Sequence, residues 1–263
     1  MTWQPHGGDP MMSGNPLNLP HGGACAWRLS ADAGCAAQAR SALGSVMRTL
    51  RFPAASIDDG ALAVSELATN ALWHAISPYR ANRSPAGHLV GPELWVWART
   101  APRPEFVAAV FDAVPEVTPQ ARPEDVSSTH GRGLGIVEAL TAAWGWRRTR
   151  SRLVSPPISG KAVWFSLPLP SPWPRPPHRI PPAVAAQHLT THLSSRGITA
   201  ARCSDVTGIS VVSTAALNIW VCHEAFSWTG GDGVHHRHPL IDLQETAEHV
   251  LHIFDQSQSP DST

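Results

Sequence analysis

Glu66 and Asn70 stand four residues apart in "SELATNALWHA" (65–75), and His74 follows four further on. On a helix this spacing puts a carboxylate, an amide and an imidazole on one face. A carboxylate so placed can take a proton from a hydroxyl or a water, and an amide oxygen is a hard ligand of the kind Mg²⁺ prefers. The plain alternative is a solvated helix face, and E-x-x-x-N alone does not separate the two. A second group is "HGRGLGIVEAL" (130–140), where Gly131, Gly133 and Gly135 precede and open a helical run. Glycines let a backbone approach a ligand closely, and N–H groups at a helix start bind phosphate. The spacing is neither the Walker pattern nor the dinucleotide fingerprint. Asp112 ends the apolar stretch "VAAVFDAVPEV", where it can accept a hydrogen bond from an amino group or serve as a turn residue. Lys161, the only lysine, follows Gly160 in a turn before a strand. It can be a solvated cation or a contact near the site.

The elements that must position these residues follow from pattern. Residues 33–50 and 57–76 read as helices, the second with Ser56 as N-cap and Asp58 and Asp59 in its first turn. "WRLS", "ELWVWART", "EFVAAVFDAV", "WRRTRSR" and "KAVWFSLPL" read as strands, and the third is apolar enough to be central. "GLGIVEALTAAWG" reads as a short helix closed by Gly145.

Chain organisation follows from composition. Residues 1–23 carry Gly, Pro, Asn and Met without period and read as a disordered arm. The Pro-rich stretch 169–182 reads as an extended linker between a first domain at 24–168 and a small α+β unit at 183–255, with a tail at 256–263. In that unit, residues 183–196 read as a helix stopped by Gly197, and strands follow. The last helix, 243–254, has Asp242 and Glu245 spaced as a capping box and an apolar stripe of Leu243, Ala247, Val250, Leu251 and Phe254.

The formal net charge is zero, so charge gives no reason to expect nucleic acid or an acidic membrane as partner. No stretch reads as a signal peptide or a membrane span. Cys25, Cys35, Cys203 and Cys222 form no C-x-x-C pair and read as buried free thiols in a reducing cytosol. "HHRH" (235–238) admits a metal site through His235, His236 and His238, but reads better as a polar turn.

The order of these groups resembles the GHKL ATPase superfamily, and within it the anti-sigma-factor serine/threonine kinases and their ATP-binding relatives in high-GC bacteria. "SELATNALWHA" resembles the N box, "VFDAVPEVTP" the first glycine box, "HGRGLGIVEALTAAWGW" the second, and "GKAVWFSL" the last strand. The resemblance implies a two-layer α/β sandwich, with helices on one face of a mixed sheet, and ATP with Mg²⁺ as cofactors. It makes Glu66 the candidate general base and Asn70 the Mg²⁺ ligand, with Asp112 reading the adenine amino group. Gly131, Gly133, Leu134 and Gly135 would shape the phosphate site, with Lys161 nearby. His74 would be a wall residue. Two functions follow from it. One is a cytoplasmic protein kinase that phosphorylates a Ser or Thr of an anti-anti-sigma-like partner, a sigma factor or a transcription regulator. The other is a non-catalytic nucleotide-sensing or protein-binding regulator. A homodimer is compatible with both. One departure stands out: Val114, preceded by Ala113, occupies the family's glycine position in the first glycine box, which predicts a crowded adenine pocket or a different turn.

Overall fold

The strands Glu93–Arg99 and Glu105–Asp112 are buried at every position. Side chains alternate between the faces of a strand, so burial throughout requires a layer on each side of the sheet. The computed structural model describes residues 12–76, 91–116, 118–119, 133–174, 180–205 and 208–257, and it supplies both layers.

The sheet comprises β1 (Met12–Ser13), β2 (Ala24–Arg28), β3 (Glu93–Arg99), β4 (Glu105–Asp112), β5 (Ala143–Arg150) and β6 (Ser159–Pro168), in the order β1-β2-β3-β4-β6-β5. One face is covered by α1 (Cys35–Thr49), α2 (Ala54–Ile76) and α3 (Gly133–Leu140). Leu43, Met47, Val64, Leu67 and Val137 from these helices share a core with Val96, Phe106, Ala108 and Phe165 from the sheet. The architecture is the expected α+β sandwich, but every hydrogen-bonded strand pair is antiparallel rather than mixed. The connections explain this. Two helices run out and back between β2 and β3 and return the chain reversed. Among the described residues a single helix lies between β4 and β5, which run parallel, but β6 folds back from β5 and inserts between them.

Several local expectations are corrected. α2 starts at Ala54, with the carbonyl of Pro53 accepting the N–H of Ile57 at 3.1 Å, so Ser56 lies inside the helix and is not its N-cap. α3 ends at Leu140, and Gly145 belongs to β5, where a Cβ would meet Trp164 Cζ2 at 2.8 Å. Residues 12–23, expected in a disordered arm, include β1 and a 3-10 turn over Pro16–His21 that buries Leu19 in the helix-side core. Part of the proline-rich stretch lies outside the described residues.

The C-terminal unit has a five-stranded antiparallel sheet of β7 (Ala200–Ser204), β8 (Ser210–Thr214), β9 (Asn218–Val221), β10 (Ala225–Thr229) and β11 (His235–Pro239). It packs on α4 (Pro182–Ser195) and α5 (Leu243–Ser257), and Gly197 past α4 takes a φ of 71°. The α5 residues Leu243, Ala247, Val250 and Leu251 enter this core as expected. Cys25 and Cys35 are buried, but Cys203 and Cys222 are exposed because they sit on β7 and in the β9–β10 turn. "HHRH" falls on β11, whose alternation divides it. His235 and Arg237 are exposed, while the rings of His236 and His238 lie against Trp228. Among the described residues no group of three or more His, Cys, Asp or Glu side chains could hold a metal ion. Among the same residues no helix is long and apolar enough to cross a membrane.

The opposite face of α5 overturns the capping-box expectation. Its acidic residues leave their own helix and cover the second face of the first sheet. The Asp242 carboxylate accepts from the N–H groups of Thr100 (2.8 Å) and Ala101 (3.0 Å). Glu245 accepts from Trp97 Nε1 at 2.9 Å and from Arg147 at 3.0 Å, and pairs with Arg99. Glu248 takes Arg152, Arg196 and the Thr149 hydroxyl. The arginine planes also stack on indoles: Arg99 and Arg147 over Trp164, and Arg152 and Arg196 over Trp95. Buried charges need this density of partners, because removal from water costs several kcal/mol per ion.

Candidate functional site

α2 buries Ala63, Val64, Leu67, Ala68 and Ala71 in the helix-side core. Glu66 and Asn70 lie on its flank, both half-buried. Gly133, the first residue of α3, sits against that flank. A Cβ added there would lie 2.7 Å from Glu66 Oε2 and 3.4 Å from Asn70 Nδ2. The absence of a side chain is therefore what lets α3 open beside the carboxylate and the amide. Two motifs distant in sequence thus become one locus. Leu134 points into the core and anchors α3, whereas a Cβ on Gly135 would meet nothing within 4 Å. The first N–H groups of a helix have no partner within it and favour an anion. Gly131 lies outside the described residues.

Asp112 closes β4 directly across from Lys161 on β6. By strand alternation both share the face of Val110 and Val163, which is the helix side. Lys161 Nζ donates to Asp112 Oδ1 at 2.7 Å and to the Val114 carbonyl at 2.6 Å. The Val114 N–H donates to the same carboxylate oxygen at 2.9 Å. Both side chains are buried. Burial raises the Asp112 carboxyl above its ordinary range, and Lys161 opposes that shift. Gly160 permits the close approach, since a Cβ there would fall 2.2 Å from the Asp112 carbonyl oxygen.

These contacts answer the Val114 question. The turn closes through the Asp112 side chain onto the N–H two residues on, a geometry that needs no glycine. Among the described non-glycine residues only Arg51 has a positive φ, so Ala113 and Val114 keep ordinary backbone. The Val114 carbonyl and Gly160 are the contributors that residue types did not announce. The one usable signal was a lone lysine placed directly after a glycine.

Residues 29–155 match the model of the histidine kinase-like ATPase domain. The segment is similar to that family. The α2, β4 and α3 residues described above all lie within the match, whereas β6 and the C-terminal unit follow it. The chain is also similar to the crystal structure of the RsbU and RsbW domains of Rv1364c from Mycobacterium tuberculosis, at 18% identity and a TM-score of 0.37. That similarity covers 58% of this chain and 34% of the other, so it spans about a third of the longer protein. No curated protein sequence matches the chain. A histidine kinase-like ATPase domain over this segment implies ATP binding.

Proposed function

We propose that the chain is a cytoplasmic ATP-binding regulator that phosphorylates a serine or threonine of a protein partner, as the anti-sigma-factor kinases it resembles do. The observation that carries this reading is the contact of Gly133 with Glu66 and Asn70. It brings a carboxylate, a side-chain amide whose oxygen can ligate a metal, and a helix start to one locus, a set that suits Mg²⁺ and phosphate. Mg²⁺·ATP would supply the phosphoryl group and neutralise its charge. Asn70 would hold the metal through its amide oxygen, and the start of α3 would bind phosphate oxygens. Glu66 would take the proton of the partner hydroxyl as that oxygen bonds to the γ-phosphorus and the bond to the β-phosphate bridging oxygen breaks, releasing ADP. Asp112 would accept from the adenine amino group. The partner would be an anti-anti-sigma-like protein, a sigma factor or a transcription regulator.

The second reading is a nucleotide-sensing regulator without phosphotransfer. It is favoured by the engagement of one Asp112 oxygen, Oδ1, by both Lys161 and the Val114 N–H, which leaves the carboxylate fewer acceptor sites for an adenine amino group. One pair of measurements separates the readings. Titrating Mg²⁺·ATP into wild type and Asn70→Ala tests the site, and equal binding by both would remove its basis. Incubation with γ-labelled ATP and candidate partners tests transfer. Binding without label transfer leaves the sensing regulator.

A further inference from the structure

A cleft of about 560 Å³ opens between the two units, on residues separate from Glu66, Asn70 and Gly133. Its volume falls in the range of small-molecule sites. Asn18 and His21 of the 3-10 turn line one side, and His188, Thr191 and His192 of α4 line another. Those three α4 residues share a helix face by their spacing. Arg152, Arg196, Gln244, Ser13 and Ser195 add to the polar lining, and among the described residues no carboxylate contributes to it.

The hydrogen-bond pattern fixes the character of the lining. Arg152 donates to Gln244 Oε1 at 3.1 Å, so the Gln244 amide nitrogen is the atom that meets His192 Nε2 at 3.1 Å. That ring nitrogen must accept, which leaves the His192 proton on Nδ1 as a donor. Burial, reinforced by Arg152 and Arg196, holds His192 down at about 4 and so keeps it neutral. The two guanidiniums share one oxygen, Glu248 Oε1, at 2.8 and 2.9 Å. Glu93 offsets part of the Arg196 charge, but it spends its oxygens on Trp95 Nε1 and the N–H groups of Arg152 and Leu153. Two arginines therefore have one directly bonded carboxylate. Among the described residues, no side-chain hydrogen bond engages His21, His188 or Thr191.

We propose that this cleft binds a small oxyanion, a phosphate ester or a carboxylate, held between the 3-10 turn and the His188–Thr191 face of α4. A ligand there touches both units and ties the C-terminal unit to the edge of the first sheet. The site is independent of the nucleotide reading.

Calorimetric titration of the full chain with inorganic phosphate and, separately, with citrate tests it in the absence of nucleotide. We expect saturable one-to-one binding of at least one probe, and the probe that binds identifies the oxyanion class. The double variant His188→Gln/Thr191→Val should weaken that binding about tenfold. Both positions are exposed, so its melting temperature should match wild type. Asn70→Ala should bind the probe as wild type does. Absence of saturable binding by both probes would overturn the proposal, as would equal binding by the double variant. Loss of binding in Asn70→Ala would move the anion to the nucleotide locus and overturn it too.

Discussion

Glu245 on α5 accepts a hydrogen bond from the indole of Trp97 on β3 at 2.9 Å, across 148 residues of sequence. The same carboxylate pairs with Arg99 and Arg147, so three donors from the first sheet converge on one side chain of the C-terminal unit. The unit is thereby fixed to the sheet through buried charge, with the arginines stacked on the sheet's indoles.

Glu245→Ala should destabilise the protein by about 3–5 kcal/mol, because it leaves Arg99 and Arg147 buried without their shared carboxylate. Urea unfolding at neutral pH measures the loss. A change under 1 kcal/mol would mean that the two arginines find water or another acceptor.

This interface also marks where sequence reading stopped. Glu66, Asn70 and Gly133 were legible because helical spacing and a glycine before an apolar run are local signals. The polar face of α5 was not, since periodicity separates apolar from polar positions but does not distinguish water from an arginine-covered sheet. Asp242 and Glu245 even carry the spacing of a capping box, and it is tertiary partners that draw both away. One trace was present. β3 reads "ELWVWAR", with tryptophans at alternate positions to the core residues Leu94 and Val96, and a strand apolar on both faces needs two covering layers. The Asp112–Lys161 pair depends on strand register, which no single segment encodes.

Acid should loosen the C-terminal unit before it reaches ordinary carboxylate values. Burial, aided by nearby arginines, lowers His192 and His238 to about 4 and His249 to about 3. In the unfolded chain these groups gain protons below about 6.5, while the folded ones stay neutral, so stability falls as pH drops from there. Asp242 acts in the other direction. Burial raises it to about 6, so the folded state takes up a proton before the unfolded one does. With His252 also lowered, four histidines outweigh the two raised carboxyls, Asp242 and Asp112, and each net proton costs about 1.4 kcal/mol per pH unit. Below about 4.3 a second loss begins. Burial pushes Glu245 and Glu248 upward, but their arginines outweigh it and hold both at about 2. Urea midpoints should therefore decline from pH 7 to pH 5, and His249→Phe, which keeps a ring without the proton, should flatten the decline. A flat wild-type profile would contradict the buried neutral histidines.

Gly133→Ala should act on the nucleotide site with little effect on stability. The added methyl meets Glu66 Oε2 at 2.7 Å, the end of a half-buried side chain that can swing away. Alanine otherwise suits a helix better than glycine by about 1 kcal/mol. The expected result is at least about a tenfold loss of Mg²⁺·ATP affinity or of phosphoryl transfer, with a melting temperature at or above wild type. Retained affinity and transfer would show that Glu66 can move without consequence.

Lys161→Met tests what the Asp112 carboxylate is for. The substitution keeps the length of the side chain and removes the cation, leaving Asp112 buried with its Val114 N–H bond. Breaking a buried pair in this way costs about 3–5 kcal/mol. The loss should be largest at neutral pH and shrink in acid, because burial already raises the Asp112 carboxyl and Lys161 no longer opposes it. Replacing both partners, as Lys161→Met/Asp112→Leu, removes the charges together and should recover most of the stability, since an apolar pair of similar volume often matches a buried ion pair. The double variant then separates structure from recognition. If Asp112 reads adenine, the restored protein should bind ATP at least about tenfold more weakly than wild type. Wild-type affinity in a stable double variant would assign the pair to closing the β4–β6 end alone and move adenine recognition elsewhere.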